Sequence, residues 1–240
     1  MWTEEIMPNW VENQIVINAS SDVLDEIQNK VRTTFTNDDG SVEDRHLIAQ
    51  SLVPMPEEIA LLDGTDDNVR RFKDLEGNVV KLDQMKAMSF YSMNDEELLG
   101  EGYTMEKLTE QELEELREKY GASDWYAWNV RNYGTKWGDV ETRLIRRDKE
   151  SLEYAFETAW SPAPQMIEKI GDKFDVKNIS YKYFSIENGD KGGFTFDSNG
   201  RVVESHWEVL DESYYTMGDD VEPVGSTNTQ ASEKAQEIFG

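Results

Sequence analysis

Residues Ser123–Gly138 read SDWYAWNVRNYGTKWG, and the rest of the chain is read outward from them. They hold three of the seven tryptophans, two tyrosines, and the two glycines that bracket a tight turn, Gly134 and Gly138. Ser123 suits a helix cap, which predicts a helix with Trp125, Trp128 and Val130 turned inward. The stretch FETAWSPAP, Phe156–Pro164, reads as its partner. It continues the clearest strand of the chain: Leu152, Tyr154, Phe156, Thr158 and Trp160 share one face, and Glu153, Ala155, Glu157 and Ala159 share the other. Ser161 then caps a helix with Pro162 at its first position and an apolar stripe of Met166, Ile167, Ile170 and Phe174.

Upstream, Met1–Ile6 read as an acidic extension, and Asn13–Ala19 alternates as a short strand. Leu24, Ile27, Val31 and Phe35 fall at helical spacing, so a helix is expected over 22–35. His46–Val53 is the next strand candidate, stopped by Pro54 and Pro56. Glycines and acidic turns punctuate the region from Glu57, which reads as a partly helical insertion over about 57–120. Its firmest element is a helix with a capping box, Thr109 and Glu112, a hydrophobic staple, Leu108 and Leu113, and a terminal Gly121. Strands at Val140–Arg147, Asn178–Glu187, Gly193–Asp197 and Arg201–Val209 complete the domain, which is expected to span 7–210. Residues 211–240 are polar and acidic, and a disordered tail is expected there. This order of elements predicts an α+β fold: a ferredoxin-like antiparallel sheet with its helices on one face.

The chain of 240 residues carries 50 acidic against 24 basic side chains, a formal net charge of -26. Such a surface repels phosphates and anionic membranes and attracts basic proteins, although acidity also serves solubility. With no cysteine there is neither a disulfide nor a thiolate metal site or nucleophile. The N-terminus lacks the basic and apolar regions of a signal peptide, and no apolar run reaches transmembrane length, so a cytoplasmic protein without membrane contact is expected. The two histidines, His46 and His206, belong to no catalytic motif, and no cofactor fingerprint is present. The acidic loops at Asn37–Gly40, 63–67 and 219–222 lack the spacing of an EF-hand, so no metal site is expected.

Two candidate surfaces remain. In the GTKW turn Lys136 sits among aromatics, as in a binding surface; the preferred reading is structural, with Trp125, Trp128, Trp137 and Trp160 forming a core against the sheet. The second is a sheet face on which Tyr181, Tyr183, Phe194 and Phe196 stack single-stranded bases, aided by the locally basic strand with Arg143, Arg146 and Arg147.

Four stretches together resemble one family. They are Met7-Pro8-Asn9-Trp10 with Asn13; Trp125-Tyr126-x-Trp128 with Asn132-x-Gly134-Thr135-Lys136-Trp137; Thr158-Ala159-Trp160-Ser161-Pro162; and Tyr183-Phe184 with Gly192-Gly193-Phe194. The pattern, over roughly 7–200, is similar to the YubB ferredoxin-like family of bacteriophages and conjugative plasmids. Val11 stands where many members have cysteine, and Gly138 intervenes before Asp139. The resemblance implies a ferredoxin-like fold and a mobile-element origin, and it transfers no catalytic residues. The leading expectation is a non-enzymatic accessory protein whose acidic surface, on the insertion and tail, binds a host or phage protein, one that handles nucleic acid among the options. A single-strand nucleic-acid module comes second, opposed by the net charge, and an enzyme third.

Overall fold

The computed structural model describes residues 9–36, 40–82 and 84–210. Met7 and Pro8, the loop 37–39, and the tail with its acidic 219–222 segment lie outside the described residues. The chain divides into two compact units, residues 1–53 with 132–240, and residues 54–131.

Along the chain, strand β1 (Trp10–Ala19) leads to helix α1 (Ser21–Val31), a hairpin of β2 (Arg32–Thr36) and β3 (Val42–His46), and short helix α2 (Ile48–Leu52). The second unit contains α3 (Glu57–Ala60), β4 (Arg70–Asp74), β5 (Val79–Val80), α4 (Gln84–Phe90), α5 (Asp95–Gly100), β6 (Tyr103–Lys107) and α6 (Glu110–Tyr120). Helix α7 (Trp125–Tyr133) carries the chain across the boundary between the units. Then follow β7 (Val140–Arg147), β8 (Ser151–Ala159), α8 (Pro164–Lys173), β9 (Val176–Ser185), β10 (Asp190–Phe196) and β11 (Val202–Val209).

The first unit is built on a six-stranded sheet of order β11-β10-β9-β1-β8-β7, antiparallel throughout. Strands β1, β7, β8 and β9 with helices α1 and α8 form the split βαβ arrangement of a ferredoxin-like fold, and β10 and β11 extend it beyond β9. Strand β1 is central because its alternation is clean: Val11, Asn13, Ile15, Ile17 and Ala19 are all buried. Across the same face Ile15 lies between Tyr154 and Tyr181. Helix α1 covers this face with Leu24, Ile27 and Val31, and α8 with Met166, Ile167 and Ile170.

Three expectations are corrected here. The helix over 22–35 stops at Val31, because Thr33, Thr34 and Thr36 are β-branched and prefer the extended hairpin, which leaves Phe35 exposed. The strand over 46–53 is instead the end of β3 followed by helix α2. The first helical proline is Pro164, not Pro162; the cap position belongs to Ala163, and the Ser161 hydroxyl donates to the Gly134 carbonyl instead (2.7 Å).

The second unit runs from Pro54 to Arg131, where the sequence placed an insertion over about 57–120. It has a three-stranded sheet of order β5-β4-β6 and two small cores. Phe72, Ala87, Phe90 and Leu98 form one, and Leu62, Val69, Leu108 and Leu113 the other. Helix α6 has its capping box: the Thr109 side chain accepts from the Glu112 amide, and Glu112 accepts from the Thr109 amide. Gly121 ends it at φ 75°, a left-handed turn that suits glycine. The unit is strongly acidic, with 19 carboxylates against 9 basic side chains over 54–131. Among the described residues no helix is long and apolar enough to cross a membrane.

Candidate functional site: a tryptophan cluster around Lys136

The GTKW turn builds a partly exposed aromatic cluster. Gly134 (φ 85°) and Gly138 (φ 81°) let the chain reverse twice within five residues. The side chain buried between them is Thr135, whose hydroxyl donates to the Ala159 carbonyl (2.7 Å). Trp137 is turned outward and 43% exposed.

Strand β8 ends one residue before the expected pattern. Trp160 has a left-handed backbone (φ 64°), which breaks the alternation that would have placed it with Thr158 inside. A bulky side chain rarely adopts this conformation, so its surroundings must hold it there. The Trp160 amide donates to the Asn9 carbonyl (2.7 Å), and the Trp160 carbonyl accepts from the Asn188 side chain (2.9 Å). The result is a row of three indoles. Trp137 lies 5.0 Å from Trp160 and 6.4 Å from Trp10 between ring centroids. The Lys136 ammonium stands 4.9 Å from the Trp137 ring and 5.0 Å from the Trp160 ring, within cation–π range of both.

The two other tryptophans of the opening stretch fall in the second unit: Trp128 is buried, and Trp125 is half-buried with its ring 5.8 Å from Tyr126. Val130, expected inside, is exposed. The helix start is one residue later than expected, since Asp124, not Ser123, accepts from the Ala127 amide (2.9 Å). The expected four-tryptophan core is corrected at Trp137, which is exposed, while Trp160 and Trp10 are half-buried beside it. No residue pattern announces the left-handed backbone at residue 160.

The aromatic residues of the sheet-face reading do come together, Tyr181 6.5 Å from Tyr183 and 6.0 Å from Phe194 and Phe194 6.2 Å from Phe196 between ring centroids, but only Phe194 is partly exposed, so they form no open platform. Tyr181 is fully buried beneath the helices, with its hydroxyl between the Ala163 amide and Asn13. Tyr183 and Phe196 are buried as well, and Tyr183 donates to Asp190 (3.2 Å). Arg146 pairs with Asp148 and Glu153 at 3.3 Å, and Arg147 with Asp25 at 2.7 Å. The basic strand is thus matched by carboxylates of its own unit.

The opposite face of the sheet carries a carboxylate pair that no residue pattern in the sequence marks. Glu12 lies directly across from Glu157, with Phe184 on its other side. Burial, then the Glu157 charge, pushes its carboxyl up to about 7 against the pull of Arg143. Below about pH 4.5 the group is protonated in both folded and unfolded chains. As pH rises to about 7 the unfolded chain loses the proton first, so this contribution to stability is lost over that interval. Glu12→Gln should remove that loss, raising stability by about 1–2 kcal/mol at pH 8 once solvent screening is allowed for, with little effect at pH 4. Urea denaturation across that pH range measures it.

The second unit has one cavity worth naming, of about 360 Å³, floored by Leu61, Leu62, Leu108 and Leu116. Its cations are already engaged, Arg71 by Glu106 and Glu112, and Lys119 by Glu58.

Residues 132–225 match the family model described as a ferredoxin-like domain in Api92-like protein. The crystal structure of a protein api92 from Yersinia pseudotuberculosis aligns at 12% identity and TM-score 0.45, covering 85% of this chain and 99% of that one. No curated protein matches the chain. The ferredoxin-like assignment accordingly has an independent match; the family it names is the Api92-like one, not the YubB family that the motifs resemble.

Proposed function

We propose that the protein acts by binding another protein, with the Trp10–Trp137–Trp160 cluster and Lys136 as the centre of contact. The observation that carries this reading is the strained Trp160 backbone, which holds one indole beside a half-exposed second instead of folding it inward. Large, rigid aromatic side chains, tryptophan foremost, are enriched among the residues that dominate measured binding energies at protein interfaces. The strong negative charge of the chain, -26 in all, favours a partner with a basic surface. Proteins that handle nucleic acid have such surfaces. The motif resemblance to a phage and plasmid family supports an accessory role for a mobile element in the cytoplasm of its host, with no chemistry of its own.

The test is a pull-down of the tagged chain from nuclease-treated bacterial lysate across a salt series, with wild type and Trp137→Ala side by side. A basic protein retained by wild type, released at high salt and lost with Trp137→Ala is the expected result. Because Trp137 is 43% exposed, the substitution should cost less stability than truncating a core tryptophan, and the melting temperatures of both proteins are measured alongside. A chain that retains no protein, or retains the same proteins after the substitution, contradicts the reading.

A further inference from the structure

The indole row continues onto the face of the sheet opposite α1 and α8. Trp10 and Glu12 flank the buried Val11 on β1, so their side chains rise from one face, about 7 Å apart along the strand. Glu157 stands directly across from Glu12 on β8; the Cβ atoms of such opposed residues are about 5 Å apart, and like charges there repel. Farther along the same face of β8, Glu153 is compensated: it accepts from Gln14 (2.6 Å) and lies 3.3 Å from Arg146. Among the described residues no cation comes within ion-pair distance of Glu12, and Arg143 on β7 acts on it only at longer range. The rings show the same contrast. Lys136 lies 4.9 Å from the Trp137 ring and 5.0 Å from the Trp160 ring, while among the described residues no cation stands over Trp10.

We propose that the Trp10 indole and the Glu12–Glu157 pair together receive one arginine side chain of the protein partner, a reading that rests on the tryptophan-centred contact above. A guanidinium is planar, so it stacks on an indole while its edge donates two parallel N–H bonds to a carboxylate. An ammonium is a point charge and cannot do both. The arriving charge also relieves the repulsion between the opposed carboxylates, which the unbound chain carries as a cost to its own stability. The other charged groups around Glu12 are few. Lys182 on β9 lies diagonally from it, and Lys191 on β10, beyond Phe184, pairs with Glu208. Binding in this way needs both carboxylates ionised. Burial and the Glu157 charge hold the Glu12 carboxyl at about 7, so affinity should rise with pH through neutrality.

The test is a titration of the full chain, labelled with nitrogen-15, with the blocked tripeptide glycyl-arginyl-glycine in about 0.15 M salt. The readout is the indole N–H resonance of Trp10, and the same peptide with citrulline for arginine is the control. A saturable shift at Trp10 with the arginine peptide alone is expected. Its affinity should be about tenfold higher at pH 8 than at pH 6, as Glu12 passes from mostly protonated to mostly ionised. Glu12→Gln should abolish that pH dependence and weaken binding at pH 8 by about fivefold or more. It is expected to be the more stable protein at pH 8, so the loss is not a loss of fold. Glu157→Gln should weaken binding at pH 8 by a similar factor. No saturable shift at Trp10, an equal response to the citrulline peptide, or a pH dependence retained in Glu12→Gln overturns the proposal. The pull-down is decided separately. A basic protein lost with Trp137→Ala but still retained by Glu157→Gln leaves the tryptophan contact standing and removes the arginine from it.

Discussion

Asn13→Ala is expected to cost the fold about 3 kcal/mol, the largest single loss among polar substitutions considered, because it breaks a buried network at its centre. The Tyr181 hydroxyl donates to Asn13 Oδ1 (2.5 Å) and accepts from the Ala163 amide at the start of α8 (2.7 Å). Asn13 Nδ2 donates to the Thr158 hydroxyl (2.9 Å), which in turn donates to the Ser161 carbonyl (2.8 Å). One side chain on β1 thus ties β9, the end of β8 and the first turn of α8, all within the sheet–helix interior. Burial pushes the Tyr181 phenol far above its ordinary range, so it stays a donor throughout the working pH range. Truncation leaves the buried Tyr181 proton without its acceptor and the Thr158 hydroxyl without its donor. Tyr181→Phe alone should cost about 2 kcal/mol, and the double variant less than the sum by about 1 kcal/mol or more, since the two share a bond. Urea denaturation of the four proteins measures the cycle; additive losses would contradict the network.

Asp139→Ala should cost about 2–3 kcal/mol and melt a helix distant in sequence. Asp139 is buried, and its carboxylate accepts from the amides of Ile48 (2.9 Å) and Ala49 (2.6 Å) and from the Thr142 hydroxyl. Helix α2 has only five residues and no cap of its own, so it cannot persist alone. Asp139→Asn keeps an acceptor and should lose roughly half as much. Hydrogen exchange at the amides of Ile48 and Ala49 should rise together with the drop in stability. Unchanged protection there would show that the cap does not hold the helix.

These two residues also mark where the sequence was readable and where it was not. The pattern of β1, β8 and β9 and the stripes of α1 and α8 are local, repeating signals of side-chain period, and they carried the ferredoxin-like sheet. The capping box of α6 is equally local, two side chains three residues apart. Helix α2 reads as a strand in the sequence because its cap lies 91 residues away, and a short apolar segment has no period to decide between the two. The tryptophans were legible as a group but not as a surface. Aromatics at strand spacing point inward by default, and what turns Trp160 out is a backbone angle held by Asn9 and Asn188. The same limit applied to Tyr181: its strand was evident, while the side of the sheet it occupies follows from helices that pack only in the folded chain.

The most direct measurement is the affinity of the captured partner for purified wild type and for Trp137→Ala, by calorimetry at two salt concentrations. A tryptophan-centred contact predicts a loss of at least about tenfold for Trp137→Ala at either salt, and weaker binding of both proteins as salt rises. Equal affinities for the two proteins, with melting temperatures also equal, would contradict it.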